Sequence, residues 1–272
     1  MNGRELKMKI GFIGCGNMGG ALAYAIGKEG QHQVYHADND AARANALAEQ
    51  FAATVTDAVT LARCCDFIFL GVKPYGICPL LSTLEGALAD NQNAVLVSMA
   101  AGVTLTSIRA ALPSGNPIIR ILPNTPVALG EGMTVYAPSE NLSSRAEADF
   151  ASLMRPTGHL DRLDESLIDT ACVVSGCGPA YAYMFLDALA RAGERGGLAY
   201  EDSKRFAAQM MRGAAAMVLH SDQSPRTLRE RVCSPGGSTI EGVRVLEADG
   251  LDALVDRAFD ASLRRTRELG QK

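Results

Sequence analysis

The sequence lacks the residue patterns that mark metal-binding and disulfide-rich proteins. Its seven cysteines, at positions 15, 64, 65, 78, 172, 177 and 233, include no C-x-x-C pair. We therefore expect reduced, mostly buried thiols and no zinc site of the usual spacing. Of the four histidines, His32 and His36 have the H-x-x-x-H spacing, but they lie at a predicted strand and not on a helix, and no H-x-x-E pattern is present. No metal site is predicted.

Basic charge and long apolar runs are also scarce. Thirty acidic residues outnumber 26 basic ones, and the lysines and arginines are scattered, which argues against a nucleic-acid partner. We find no uninterrupted apolar run of the roughly 18 to 20 residues that a membrane span needs. The first seven residues lack the apolar core of a signal peptide and are interpreted as an upstream start or a tag. These absences predict a cytoplasmic protein without a membrane partner.

The first half of the chain alternates β-rich runs with helical patterns. The expected strands are 9–13, 33–37, 66–72, 94–99, 117–122 and 133–137, and the expected helices between them are 20–29, 41–51, 77–89 and 105–112. This βαβ alternation predicts a Rossmann-type, doubly wound α/β domain with a parallel sheet over residues 1–164.

The remaining residues, 165–272, are predicted to be all helical, with helices at 167–193, 200–220, 224–232, 239–248 and 251–269. Two glycines and Pro179 interrupt the apolar pattern of 173–181, which predicts a break or kink. The helix around 210–218 is rich in small residues and apolar on most sides. We infer a dimer interface here, although the periodicity alone fits a central helix of a monomeric bundle about equally well.

The run Gly14-Cys15-Gly16-Asn17-Met18-Gly19 directly follows the first strand and opens the first helix. In that context G-x-G-x-x-G predicts dinucleotide binding. The first glycine permits a tight turn, the second lets the backbone approach a pyrophosphate, and the third permits close helix packing, while Asn17 and Met18 cap the loop.

Asp38 ends the second strand, nineteen residues after Gly19. A carboxylate there accepts hydrogen bonds from an unmodified ribose and repels a 2′-phosphate, which favours NADH over NADPH. Asn39 and Arg43 are near enough in sequence to contact a phosphate, and Asp-Asn-Asp also fits a solvated turn and helix cap. The choice between NADPH and NADH stays open at this stage.

Three further strand ends supply candidate cofactor contacts, because open α/β sheets bind ligands at the carboxyl ends of their strands. Val72-Lys73-Pro74 ends one strand, and Lys73 is either a cofactor contact or a surface lysine. Small residues, including Ala101, end the next strand and let a ring or ribose come close. Asn124 follows a third strand and is either a nicotinamide contact or part of a Pro-Asn-Thr-Pro turn.

A second glycine run, Ser234-Pro235-Gly236-Gly237-Ser238-Thr239, precedes a predicted helix. Free backbone N–H groups at such a helix start hold a carboxylate or phosphate. The same residues also fit an ordinary interhelical turn that ends in a helix cap. The two glycine runs together predict a dinucleotide held at one site and a small anionic substrate at another.

Taken together, these segments resemble the pyrroline-5-carboxylate reductase family nearly from end to end. The specific ones are Ser175-Gly176-Cys177-Gly178-Pro179-Ala180-Tyr181 and the second glycine run. The family pattern usually has serine at the position of Cys177 and threonine at that of Ser238. Cys177 keeps the size of the side chain, and Ser238 keeps the hydroxyl.

The resemblance implies hydride transfer from NADPH or NADH to the C=N carbon of L-1-pyrroline-5-carboxylate, which gives L-proline. It implies that Gly236, Gly237, Ser238 and Thr239 bind the substrate carboxylate. Thr239 is then the candidate proton donor, unless the substrate binds as the iminium. Glu165 and Asp222 match positions near the substrate, although each also fits a helix-end or surface carboxylate. A homodimer is implied as well, with five dimers assembling into a ring.

Two other functions remain open from the residues alone. One is a related two-domain reductase that acts on a hydroxy acid or another cyclic imine. It would need a lysine or histidine acid in the helical half, where neither Lys204 nor His220 shows a sign of that role. The other is a nucleotide-sensing protein without turnover. The hydroxyl groups of the second glycine run argue against the sensor.

Overall fold

The computed structural model describes residues 7–270, so most of the expected leader lies outside the described residues. Its main feature is an eight-stranded sheet with the order β3-β2-β1-β4-β5-β6-β7-β8. The strands are β1 Lys9–Ile13, β2 Gln33–Ala37, β3 Thr54–Val55, β4 Phe67–Leu70, β5 Val95–Ser98, β6 Ile118–Leu122, β7 Gly132–Pro138 and β8 Gly158–Arg162.

The sheet is parallel except between β6 and β7, which pair antiparallel with Leu122 opposite Val135. This corrects the expectation of an all-parallel sheet. Only residues 123–131 connect the two strands, which is too short for a helical crossover. The strands β3 and β8 and the helices over Ala58–Cys64 and Ser144–Met154 were not predicted from the sequence.

Helices cover both faces of the sheet, as the βαβ alternation predicts. They are α1 Asn17–Gly27, α2 Ala41–Ala48, α3 Ala58–Cys64, α4 Ile77–Asp90, α5 Leu105–Ala110 and α6 Ser144–Met154. Apolar residues of α3 and α4 pack on one face, and those of α1 and α6 pack on the other. Strand β1 serves both layers, because Ile10 and Phe12 face one core and Ile13 the other. The doubly wound α/β fold is confirmed.

The second half is helical, as expected. It contains α7 Glu165–Cys172, a π-helix over Val173–Cys177, α8 Gly178–Arg195, α9 Tyr200–Leu219, α10 Pro225–Val232, α11 Ser238–Ala248 and α12 Leu251–Leu269. The predicted break at the glycine-proline segment takes the form of a π-helix that joins α7 to α8 without a gap. A single π turn inside a helix is a known feature of functional sites.

The described residues form two compact units. One contains the chain through Cys177 together with the residues from Ser262 onward, and the other contains Gly178–Ala261. The domain boundary that we predicted after residue 164 marks the change from strands to helices, not the division between these compact units, and it stays a prediction. Helix α7 and the end of α12 therefore belong to the compact unit that contains the sheet.

The helical run Glu165–Arg195 contains an 18-residue window of mean hydropathy 1.2. By length and composition it is able to cross a membrane, which qualifies the expectation that no segment of the chain has that capacity. Only 6% of the window is buried within the single chain. Core helices of proteins without any membrane segment meet the same length and composition criterion, so this run does not by itself indicate a membrane span.

Candidate functional site

The first glycine run forms a tight turn between β1 and α1. Gly14 has a φ of 94°, and a Cβ there would lie 2.8 Å from the carbonyl of Gly71. A Cβ at Gly19 would overlap the carbonyl oxygen of Gly14. At Gly16, by contrast, an added Cβ meets no atom within 4 Å. The turn is thus closed toward the protein and open on the side where a pyrophosphate would approach.

The N-terminus of α1 is available to an anion. Gly16 is the N-cap residue, and no side chain caps the helix there. The first N–H groups of a helix carry partial positive charge and have no partner within the helix. With the open space at Gly16, these groups match the pyrophosphate of a dinucleotide.

Asp38 lies beside this turn and is tied to it. One carboxylate oxygen, Oδ2, accepts a hydrogen bond of 2.6 Å from the backbone N–H of Cys15. The other, Oδ1, accepts one of 2.8 Å from the N–H of Asp40. The guanidinium of Arg43 lies 3.8 Å from Asp38 and 3.3 Å from Asp40. The carboxylate therefore has a fixed position at the end of β2.

The turn opens into a cleft of about 1050 Å³. It brings together most of the predicted cofactor-binding residues, namely Cys15, Gly16, Asn17, Met18, Gly19, Val72, Lys73, Pro74 and Ala101. Gly14, Asp38 and Asn124 do not line it. These segments are separate in the sequence, and they meet here because β1, β4 and β5 are adjacent parallel strands whose carboxyl ends lie at the same edge of the sheet.

Met99 and Ala100 also line the cleft, in the strand-end segment of small residues that includes Ala101. Other residues of the cleft were missed by the sequence reasoning: they are Gly20, Ala21, Tyr24, Leu47, Gln50, Gly71, Ala128 and Leu269, and Arg43 was noted only as a neighbour of Asp38. Gly71 had a usable signal, since it directly precedes Val72-Lys73-Pro74. A Cβ on Gly71 would overlap the carbonyl oxygen of Gly14, so β1 and β4 need glycine on both sides of this contact.

Cys15 contributes its backbone rather than its thiol. Burial, followed by the negative charge of Asp38, raises the pKa of the Cys15 thiol to about 11. The thiol therefore stays protonated near neutral pH and is a poor nucleophile. This agrees with the expectation of inert thiols for this residue.

Both polar atoms of the Asn124 side chain form hydrogen bonds with the protein backbone. Its Oδ1 accepts a hydrogen bond of 2.9 Å from the N–H of Met133, and its Nδ2 donates one of 2.9 Å to the carbonyl of Ser175 in the π-helix. In an α-helix that carbonyl would accept from residue 179, but Pro179 has no N–H. Asn124 thus supplies a donor that the proline removes, and its predicted contact with nicotinamide stays untested.

Glu165, predicted to lie near the substrate, also has protein partners. Its Oε1 accepts a 2.6 Å hydrogen bond from the N–H of Leu105 and lies 3.3 Å from Nη1 of Arg120. Arg120 on β6 is 1% exposed and also pairs with Asp169 of α7. The two carboxylates balance a buried guanidinium, and together they hold α7 to the sheet.

The second glycine run has the geometry of an open helix N-terminus. Gly236 has a φ of 71°, and the N–H of Gly237 donates to the carbonyl of Ser234 at 3.0 Å. Helix α11 then begins at Ser238 with Gly237 as its N-cap and no capping side chain. Ser238 and Thr239 are exposed in the single chain. These residues form a second helix start without a capping side chain, in the compact unit Gly178–Ala261.

Asp222 lies in the same compact unit, between α9 and α10, and is exposed. Among the described residues, no hydrogen bond or ion pair joins Asp222 to the second glycine run. The predicted residues therefore fall into four places: the cleft with its neighbours Gly14 and Asp38, the contact of Asn124 with the π-helix, the buried network of Glu165, and the helical loops with Asp222 and Thr239. A further cavity of about 990 Å³, beside α5 and β7, contains only Glu165 of the predicted residues.

The doubly wound sheet, the open glycine turn and the helical second half define a dinucleotide-binding oxidoreductase with a helical partner region. Family models agree with both parts. Residues 9–102 match the model described as NADP oxidoreductase, coenzyme F420-dependent. Residues 165–269 match the one described as pyrroline-5-carboxylate reductase dimerisation. The protein is an NAD(P)H-dependent oxidoreductase whose helical region serves oligomerisation.

Known relatives specify the family. The chain is 38% identical to pyrroline-5-carboxylate reductase of Escherichia coli K12, over 98% of this chain and all of that protein. It is 37% identical to the human pyrroline-5-carboxylate reductase 2, over 96% of this chain and 84% of that one. A crystal structure of the Plasmodium falciparum pyrroline carboxylate reductase with NADP bound superposes with a TM-score of 0.88 at 30% identity, covering 97% of this chain and 98% of that one. The chain belongs to the pyrroline-5-carboxylate reductase family.

Proposed function

We propose that this protein reduces L-1-pyrroline-5-carboxylate to L-proline with NADPH or NADH as the hydride donor. The observation that carries the proposal is the relationship to pyrroline-5-carboxylate reductases over essentially the whole chain, in a protein that keeps both glycine turns open. The reduced nicotinamide supplies a hydride to the imine carbon, and the ring nitrogen gains a proton.

The residues of the cleft fit a dinucleotide. Gly16 leaves space for the pyrophosphate, the uncapped start of α1 offers N–H donors, and Ala101 provides a small surface at the end of β5. Lys73 is exposed at the end of β4, where its ammonium is free to meet a phosphate or a ribose hydroxyl. Gly14 and Gly19 are assigned to the turn because a Cβ on either would overlap neighbouring backbone, and Gly19 also lines the cleft.

The second glycine run is the proposed site for the substrate carboxylate. Its uncapped helix start offers the N–H groups near Ser238 and Thr239, and both side chains carry hydroxyl donors. Binding the carboxylate there would fix the orientation of the ring, and orientation contributes a large part of the rate in such reactions. The hydroxyl of Thr239 is the proposed proton donor when the substrate enters as the neutral imine.

For the two acidic residues the proposal differs. Asp222 is retained as a substrate neighbour, because it is exposed and free to turn toward a ligand. Glu165 is proposed as a positioning residue, because its carboxylate already accepts from Leu105 and Arg120. Its removal should therefore affect stability more than substrate binding.

We also propose a homodimer, with assembly of five dimers as the larger form, working in the cytoplasm. Large apolar side chains on one face of α9 support the dimer. Phe206, Met210 and Met217 are each about half exposed in the single chain, and their spacing places them within a narrow arc of the helix. A second copy would cover this face, and the same covering would explain the exposed apolar run Glu165–Arg195.

The test of the reaction is the consumption of reduced cofactor, followed by its absorbance, when the purified protein meets pyrroline-5-carboxylate. We expect turnover, with proline as the product. Other cyclic imines and a 2-oxo acid serve as comparison substrates. If the protein binds the cofactor yet consumes none with pyrroline-5-carboxylate, the proposed reaction is wrong, and preferential turnover of another imine would favour the related reductase.

A variant tests the role of Thr239. Thr239→Val removes the hydroxyl at nearly constant size and should lower kcat/KM by about 10- to 100-fold while leaving the Kd of the cofactor unchanged. Thr83→Val, on the exposed side of α4, is the matched control and should leave both quantities unchanged. Activity of Thr239→Val close to that of the wild type would exclude the hydroxyl as proton donor and favour entry of the substrate as the iminium.

A further inference from the structure

We propose that this protein selects NADH over NADPH and that Asp38 is the residue responsible. The inference deepens the proposed function, since it concerns the cofactor of the same reaction. It rests on the charges around the end of β2, where the ribose of the adenosine lies in dinucleotide-binding folds of this kind.

The carboxylate of Asp38 is held rigidly. Its side chain is only 8% exposed, and each oxygen accepts a backbone hydrogen bond, one from Cys15 and one from Asp40. Each oxygen keeps a further lone pair, so a ribose 2′-hydroxyl can still donate to it. A 2′-phosphate has no proton to donate near neutral pH and would instead face a fixed negative charge.

Arg43 is the cation that could offset this charge, but it is already paired. Its guanidinium lies near the carboxylates of both Asp38 and Asp40. These three groups sum to one negative charge. A phosphate monoester adds about 1.5 to 2 more negative charges at pH 7. To bind it, Arg43 would have to exchange two existing partners for one, with Asp38 still close by.

The cleft offers no second cation on that side. Among the described residues that line it, the basic side chains are Arg43 and Lys73. Lys73 follows β4, which lies on the far side of β1 from β2 in the strand order. It is therefore placed toward the other half of the cofactor and does not compensate Asp38.

The test is the binding of NADH and NADPH, measured separately by titration calorimetry without substrate. We expect the Kd of NADH to be lower by at least about tenfold at low ionic strength, the size of effect that one unscreened charge pair at this range produces. Added salt should shrink the ratio of the two Kd values, because it screens the repulsion of the 2′-phosphate. A wild-type protein that binds NADPH as tightly as NADH would overturn the proposal.

A substitution then assigns the effect to the residue. Asp38→Asn keeps the shape, removes the charge and frees Arg43 from one partner, and it can accept only one of the two backbone hydrogen bonds. The lost hydrogen bond affects both cofactors alike, so the readout is the ratio of the two Kd values, which should fall at least about fivefold. Asp90→Asn is the matched control: it also removes one carboxylate from a pair with an arginine, Arg63, at the end of α4, and should leave the ratio unchanged. If Asp38→Asn weakens both cofactors equally, Asp38 only supports the turn and the proposal is wrong.

The outcome is independent of the reaction. Preferential binding of NADH without any reduction of pyrroline-5-carboxylate would refute the proposed function and keep this inference. Reduction of pyrroline-5-carboxylate with a clear preference for NADPH would do the opposite. The two proposals therefore fail separately.

Discussion

The structural role of Asn124 gives a prediction with a calculable size. Asn124→Leu replaces the carboxamide with an apolar group of similar volume. It would leave the N–H of Met133 and the carbonyl of Ser175 without their partner, and Asn124 is only 8% exposed. Each buried group left unsatisfied costs about 1–3 kcal/mol. Part of this is offset by burying an apolar side chain, so we expect a loss of about 2–4 kcal/mol.

The measurement is urea unfolding followed by circular dichroism at one fixed protein concentration, because association changes apparent stability. Asn45→Leu on the exposed side of α2 is the matched control, with an expected change within about 0.5 kcal/mol. If Asn124→Leu unfolds like the control but raises the Kd of the cofactor, Asn124 is a ligand contact and the reasoning is refuted.

Two further predictions concern pH and association. Burial lowers the pKa of His36, so the unfolded chain takes up a proton that the folded one refuses; stability should be complete above about pH 6.5 and fall as the pH drops below it. His36→Phe, whose ring fits among Phe12 and Phe51, should show a smaller loss of Tm between pH 7 and pH 5 than the wild type, and equal losses would contradict this assignment. Met210→Asp on the apolar face of α9 should shift the protein toward the monomer in light scattering, whereas Ala208→Asp on the opposite side should not; an unchanged dimer would place the interface elsewhere.

The strands β1 and β2 were predicted with their observed limits, because each is a short β-rich run that ends at turn residues, Gly14 after β1 and Asp38-Asn39 after β2. The strand β3 has only two residues and therefore carries no periodic signal. The strand β8 at the sheet edge, Gly158–Arg162, is polar and largely exposed, so it resembles a loop in sequence. The antiparallel direction of β7 could have been predicted from the sequence, because a connection of residues 123–131 is too short for a helical crossover.

The candidate site likewise has a part that could be predicted from the sequence and a part that could not. The glycine turn could be predicted because its function depends on local backbone geometry and neighbouring residues. The partners of Asn124 and Glu165 could not, because Ser175 and Leu105 lie 51 and 60 residues away in the chain. Spacing along the sequence contains no information on such pairs, and a polar side chain that serves the fold looks the same as one that serves a ligand.

The contact among Gly14, Gly19 and Gly71 has a consequence for the evolution of this chain. A side chain on Gly19 or on Gly71 would collide with the same carbonyl group of Gly14, and one on Gly14 would collide with Gly71. A side chain at any one of the three positions creates a clash with backbone, and a replacement at either of the other two positions does not relieve it. Glycine should therefore be kept at all three positions together. Gly16 has free space around it, so only ligand binding requires glycine there, and we expect this position to vary in any descendant that no longer binds dinucleotides.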